Sequence, residues 1–292
     1  MFFARPNEYE ACGIFTVKHF ILIILTIAGI SVALKKTIKK SKEEVKKIIE
    51  KLTIVIWILE ILRIIFNLGI GNLKNVNEYL PLYYCSLLLY AGLMSSFGKG
   101  KIKRIGDVFL STGGIIGGIV FIILPTTSLP TYPMMHFLSL HSFFYHGVMV
   151  YLGLLMNFTN YINLELKDIW YFAELVGGIC AISLVINHIF DSNLMFISKD
   201  FPGTPITILY HLTGKLFTPI MIISQMTLPF LLVYGLVKSV KLKKNSVFCW
   251  KNMWTFFVKT IDKWDICVYN NKCSHIAGWS SWQLAGLITL RS

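Results

Sequence analysis

Apolar runs of about twenty residues alternate along this chain with short polar connections, and about twenty is the length that crosses the hydrocarbon core of a bilayer. The connection "KKTIKKSKEEVKKIIEK", residues 35–51, follows the first run directly and carries eight lysines against three glutamates. A chain built this way must satisfy its backbone hydrogen bonds inside lipid, which leaves the α-helix as the element that can form from local sequence alone. Composition agrees: of 292 residues 55% are hydrophobic and 15% charged, against about 25% charged in a soluble domain. The mean hydropathy is +0.63. The expected fold is therefore all-α, a polytopic membrane bundle of about seven helices.

The seven runs fall near 15–34, 52–70, 81–97, 105–124, 137–156, 169–190 and 217–237. The first run leads into lysines with no small-residue cleavage site, so it reads as a retained helix and not a removed signal. The basic connections 35–51, "GKGKIKR" and "KSVKLKK" lie on one side if all seven runs cross. Lysine and arginine accumulate in cytoplasmic loops, which places the N-terminus outside, the C-terminus in the cytoplasm and the protein in the cell membrane as a multi-pass chain. The net charge of +13 resides in these loops. It fits the membrane better than nucleic acid, and the expected partners are membrane phospholipids. The chain divides into a helical domain, 1–244, and a tail, 245–292. In the tail Trp250, Trp254, Phe257, Ile261 and Trp264 recur at helical spacing, which suits a helix lying in the headgroup region or, equally, a disordered segment. Cys267, Cys273 and His275 lack a convincing zinc spacing, so no metal and no cofactor is expected. The six cysteines are scattered and imply no disulfide framework. In "TGGIIGGIV", Gly113 with Gly117 and Gly114 with Gly118 form small-xxx-small pairs that permit close helix approach.

Ionisable groups inside spans are costly and mark candidate functional sites. Glu60 and Arg63, three apart in "WILEILRIIF", share a helical face and can pair; a structural ion pair is the plainer reading. The fifth span, "FLSLHSFFYHGVMVYL", holds His141 and His146. Five positions apart on a helix, they point about 140° away from each other. Cys85, in "YLPLYYCSLLLY", enters the bilayer at a depth similar to His141. A cysteine with a histidine can carry out nucleophilic acyl transfer, the imidazole taking the thiol proton. Free cysteine in a span is more often a small packed hydrophobe, and Cys180 in "GGICAI" reads that way.

The segment "LPLYYCSLLLY" resembles the Leu-Pro-Leu-His-Leu-Cys motif of the bacterial YwaF-type integral membrane proteins. Those are similar to the eukaryotic transmembrane protein 164 group, which acts on phospholipid acyl chains. "FFYHG" resembles the histidine–glycine motif of that family's fifth span, and "NHIFDSNLMFI" with Pro202 and Pro205 resembles its Asn-Tyr…Asn-Tyr-Met-Phe stretch. The glutamate and arginine of the second span match its pattern as well. The resemblance covers residues 50 to 240. It implies Cys85 as nucleophile, His146 as its base, and Asn187 and Asn193 as polar groups around the site, with oxyanion donation a possible role. The sequence departs from the motif at Tyr83, His188 and Leu194; Tyr83 stands where the motif has a histidine, which His141 could replace. A lipid acyltransferase or transacylase is the leading expectation. A carrier for a small solute or protons, with Glu60, Arg63, the two histidines and Asn187 lining a polar cavity, is the alternative, and a purely structural bundle is the third.

Overall fold

The computed structural model describes residues 1–70, 76 and 79–242. The tail 245–292, with its expected interfacial helix and its cysteines and histidine, lies outside the described residues. Residues Met1–Lys238 form one compact unit. Its elements are helices α1 (Val17–Thr37), α2 (Lys42–Gly69), α3 (Leu87–Phe97), α4 (Gly100–Ser111), α5 (Gly113–Ile123), α6 (Phe137–Phe158), α7 (Ile169–Phe190), α8 (Pro205–Thr213) and α9 (Phe217–Leu242). Among the described residues there is no β-strand.

Local chemistry sets the helix ends. Thr16 caps α1 by accepting from the His19 amide at 3.2 Å, and Lys35 and Lys36 fill its last turn, where cations favour the helix dipole. Ser41 and Glu44 form a capping box at the start of α2, which satisfies amides that have no partner within the helix. At 28 residues, α2 is about 42 Å long. That exceeds a hydrocarbon core of about 30 Å, so its lysine-rich first turns stand beyond the apolar layer.

Six segments are long and apolar enough to cross a membrane: Val17–Thr37, Lys42–Gly69, Gly100–Ile123, Phe137–Phe158, Leu166–Phe190 and Pro205–Val240. Six of the seven expected runs correspond to these. The remaining one, 81–97, is helical only as the 11-residue α3. Pro81 lacks an amide hydrogen and disfavours helical backbone at Leu80. The chain then winds through i→i+3 bonds, from Ser86 N to Tyr83 O (2.9 Å) through Leu89 N to Ser86 O (3.0 Å), before α3 becomes regular. Cys85 sits in this tight lead-in.

The fourth expected run is broken at Thr112, whose backbone (φ −130°, ψ −78°) separates α4 from α5. The carbonyl of Ser111, freed by the break, accepts a 2.8 Å bond from the Asn157 side-chain amide of α6, so that carbonyl is not orphaned in the apolar interior. The glycine pairs of α5 divide their work. A Cβ on Gly118 would lie 2.8 Å from the His146 carbonyl, so Gly118 lets α5 and α6 come close. Gly113 and Gly117 face the ring of Tyr84 instead. They open a hollow for the lead-in to α3, a use the small-xxx-small reading did not foresee.

The central element is α6, packed against α1, α2, α4 and α5. The buried core runs along it through Met149, Leu152, Leu155 and Met156 and continues into Phe109, Phe172 and Phe230. On the lysine-rich side, Arg104 pairs with the buried Asp168 at the start of α7, and Lys103 reaches Asp107 and the Tyr161 hydroxyl. These bonds tie α4 to the α6–α7 connection. The outer faces of α1, α2, α7 and α9 expose isoleucines, leucines and valines such as Ile24, Ile58, Val185 and Leu232, the surface expected to meet lipid.

Candidate functional site

Three elements meet at a polar cluster in the bundle interior: α2, the lead-in to α3, and α6. From α2 come Glu60 and Arg63. Arg63 donates from Nε to Oε2 at 3.0 Å and from Nη2 to Oε1 at 2.7 Å. The i, i+3 spacing brings the two side chains together as the sequence implied, and the carboxylate side chain is only 5% exposed. Both charges lie within electrostatic reach of His141 and Tyr145 on α6.

The lead-in contributes Cys85, whose thiol is free. Its carbonyl accepts from the Leu88 amide at 3.1 Å and from the Tyr145 hydroxyl at 3.2 Å. Tyr145 therefore ties the residue expected as nucleophile to the middle of α6. Beside it Tyr90 donates to the Pro81 carbonyl at 3.1 Å, closing the lead-in on itself. The Tyr84 hydroxyl is buried without a hydrogen-bond partner in the hollow beside Gly113.

The two imidazoles of α6 take different faces, as their spacing requires. His141 stacks with Tyr145, one helical turn on, at 5.8 Å between ring centres. Neither of its ring nitrogens has a hydrogen-bond partner. His146 lies flat on Phe121 of α5, the centroids 3.6 Å apart. Its Nδ1 is 2.7 Å from the Ser142 carbonyl. A carbonyl can only accept, so Nδ1 carries the proton and the neutral ring presents its lone pair at Nε2. That nitrogen is buried and unpartnered. No hydrogen bond joins the Cys85 thiol to either histidine: the imidazole nitrogens are either unpartnered or, for His146 Nδ1, bound to the helix backbone.

Asn187 and Asn193 stand apart from this cluster and are fully engaged. Asn187 donates to the Leu194 carbonyl (3.0 Å) and Ser198 Oγ (2.8 Å), and accepts from Ser192 Oγ and the Leu194 amide, both at 2.7 Å. Asn193 donates to the Lys199 carbonyl at 3.1 Å and accepts from the amides of Ser198 and Lys199, each at 3.1 Å. Both brace the loop after α7, in which Asp191, Met195 and Phe196 hold left-handed backbone at φ of 51°, 58° and 54°. Such backbone persists only where surrounding bonds fix it. Gln225 of α9 adds a 2.8 Å bond to the Met195 carbonyl. The braced loop sets Phe196 against Tyr83, ring centres 5.2 Å apart. The asparagines thus act on the lead-in through packing, with their amide donors already used.

Tyr145, Tyr84 and Tyr90 carry no polar-span signal in the sequence beyond the position of Tyr145 one turn after His141; the contact of Tyr145 with the lead-in is tertiary. Among the described residues no three His, Cys, Asp or Glu side chains gather in a way that could hold a metal ion.

The fold and the buried polar cluster define a polytopic helical membrane protein whose apolar outer helices contact lipid. Residues 14–237 match the TMEM164 family, most of the chain's length, and the chain belongs to that family. No curated protein and no solved structure matches it.

Proposed function

We propose that the protein is a lipid acyltransferase or transacylase of the cell membrane, with Cys85 as nucleophile and His146 as general base. The observation that carries this reading is the state of His146. Its Nδ1–H is committed to the Ser142 carbonyl, so Nε2 offers a free lone pair in a buried site, the form a base requires. It lies one residue beyond Tyr145, whose hydroxyl holds the Cys85 backbone. The chain belongs to the TMEM164 family, and the resemblance to the transmembrane protein 164 group, which acts on phospholipid acyl chains, favours the same chemistry.

In the proposed reaction His146 takes the thiol proton and the Cys85 sulfur attacks an ester carbonyl of a phospholipid. The ester C–O bond breaks, the leaving alkoxide takes the proton from the imidazolium, and a thioester remains on Cys85. The acceptor's hydroxyl then gives its proton to His146 and attacks the thioester, releasing the acylated product and restoring the thiol. In the resting structure the imidazole lies on Phe121 and is not hydrogen-bonded to the thiol, so the proposed reaction requires the two groups to be brought together when substrate enters. The Glu60–Arg63 pair supports the site from α2, and His141 offers a second imidazole beside Tyr145. With the short α3 and its lead-in counted as a seventh pass, the lysine-rich connections favour an N-terminus outside and a C-terminus in the cytoplasm, an arrangement in which the cluster lies in the outer half of the bilayer.

The test is acyl transfer between labelled phospholipids by the purified protein in lipid vesicles. Cys85→Ser and Cys85→Ala are expected to abolish transfer, and mass spectrometry to find an acyl adduct on wild-type Cys85. His146→Gln is expected to lower the rate by about 10²–10⁴, the usual worth of a general base. Transfer that survives Cys85→Ala unchanged overturns the assignment.

A further inference from the structure

On another face of α6 the bundle is open. Helices α1 and α2 each pack on α6 and leave between them a groove of about 630 Å³. That volume falls in the range of small-molecule sites, roughly 300–1,000 Å³. Gly29 and Ile30 of α1 and Leu52 of α2 form its walls, and Phe143 and Gly147 of α6 its floor. Gly147 lies about 160° round the helix from Tyr145, so the groove does not share the Cys85 face.

Its dimensions and charge identify the occupant. The lining runs from Leu22 to Ala33 on α1 and from Leu140 to Tyr151 on α6, eleven helical rises on each. At 1.5 Å per residue this is about 16 Å, half of a hydrocarbon core of about 30 Å. The groove is therefore about as long as one leaflet is thick, and it runs from its Lys51 end past the middle of α1 and α6. Lys51 is the charged residue of the lining. Because α2 runs antiparallel to α1, Lys51 lies at the Ala33–Tyr151 end, beside the connection with eight lysines and three glutamates. Among the described residues Lys51 makes no ion pair. An apolar slot of that length with an unpaired cation at its mouth matches one acyl chain of an anionic phospholipid, its phosphate at Lys51.

We infer that the α1–α2 groove binds an anionic phospholipid of the leaflet on the lysine-rich side. This site is separate from the proposed acyl-transfer centre and does not depend on it. The experiment is native mass spectrometry of the full chain in detergent micelles, supplied with phosphatidylglycerol or phosphatidylcholine of identical acyl chains. Wild type is expected to retain phosphatidylglycerol in preference to phosphatidylcholine. Gly29→Trp is expected to lose it. A Cβ at position 29 meets nothing within 4 Å, so the side chain starts into the groove without a clash at the backbone, and replacing a helical glycine does not oppose the helix. Lys51→Gln is expected to bind phosphatidylglycerol about fivefold more weakly, the worth of one basic residue at an anionic surface, with a smaller loss for phosphatidylcholine, whose phosphate charge is offset by its choline. Three results would overturn the inference: equal retention of the two lipids by wild type, retention of neither, or undiminished retention by a Gly29→Trp variant that unfolds at the wild-type temperature. The Cys85 variants leave this lipid in place, so failure here and failure of the acyl-transfer reading are separate outcomes.

Discussion

Replacing Arg63 by methionine strips the guanidinium from a carboxylate that is almost wholly buried. The Glu60 side chain is 5% exposed and Arg63 18%, and two bonds of 2.7 and 3.0 Å join them. Removing one partner of a buried pair costs about 3–5 kcal/mol, because the remaining charge keeps its desolvation penalty and loses its compensation. The partial exposure of Arg63 lets water relieve some of that loss and sets the expectation at the lower end, about 3 kcal/mol. At 2–4 °C per kcal/mol for a unit of this size, the midpoint falls by roughly 6–12 °C. The double variant Glu60→Leu/Arg63→Met removes both charges and is expected to return to within about 1 kcal/mol of wild type. The assay is thermal unfolding in detergent, followed by near-ultraviolet circular dichroism at fixed protein and detergent concentrations. If the double variant falls as far as the single, the two charges are not compensating each other and the ion-pair reasoning fails. If it regains stability but loses acyl transfer, the pair supports the chemistry beyond holding helices together.

Tyr145→Phe is expected to cost only about 1 kcal/mol, since the Cys85 carbonyl keeps its 3.1 Å bond from Leu88; the same melting assay checks this. Asn157→Leu leaves the Ser111 carbonyl buried without its 2.8 Å donor at the α4–α5 break. The expected loss is about 1–3 kcal/mol, and an unchanged midpoint would mean that water or relaxed backbone replaces the amide. Gly118→Leu forces a Cβ to 2.6 Å from Val150 and 2.8 Å from the His146 carbonyl. It is expected to cost at least 1–3 kcal/mol by overpacking and to depress acyl transfer as well, because the backbone that carries His146 must move.

The third expected run marks the boundary between what could be read and what could not. Its apolar length and Pro81 are visible in the sequence, and the proline correctly signals a late helix start. That residues 83–86 remain in tight turns depends on the hollow which Gly113 and Gly117 open for Tyr84, about thirty positions away. For Asn187 and Asn193 the sequence marks two polar residues near a membrane boundary. Their complete engagement with residues 192–200 emerges only once the loop has folded back on itself.

By itself the sequence determined the all-helical membrane architecture, because apolar length and backbone satisfaction in lipid leave few alternatives. It also determined that Glu60 meets Arg63 and that His141 turns away from His146, since helical geometry acts over a few residues. Which neighbour waits on each face of α6 was decided by the tertiary structure. Phe121 against His146, Tyr145 against the Cys85 backbone, and an open groove between α1 and α2 are long-range packing outcomes, fixed by where glycines admit close approach and where side chains fill the space.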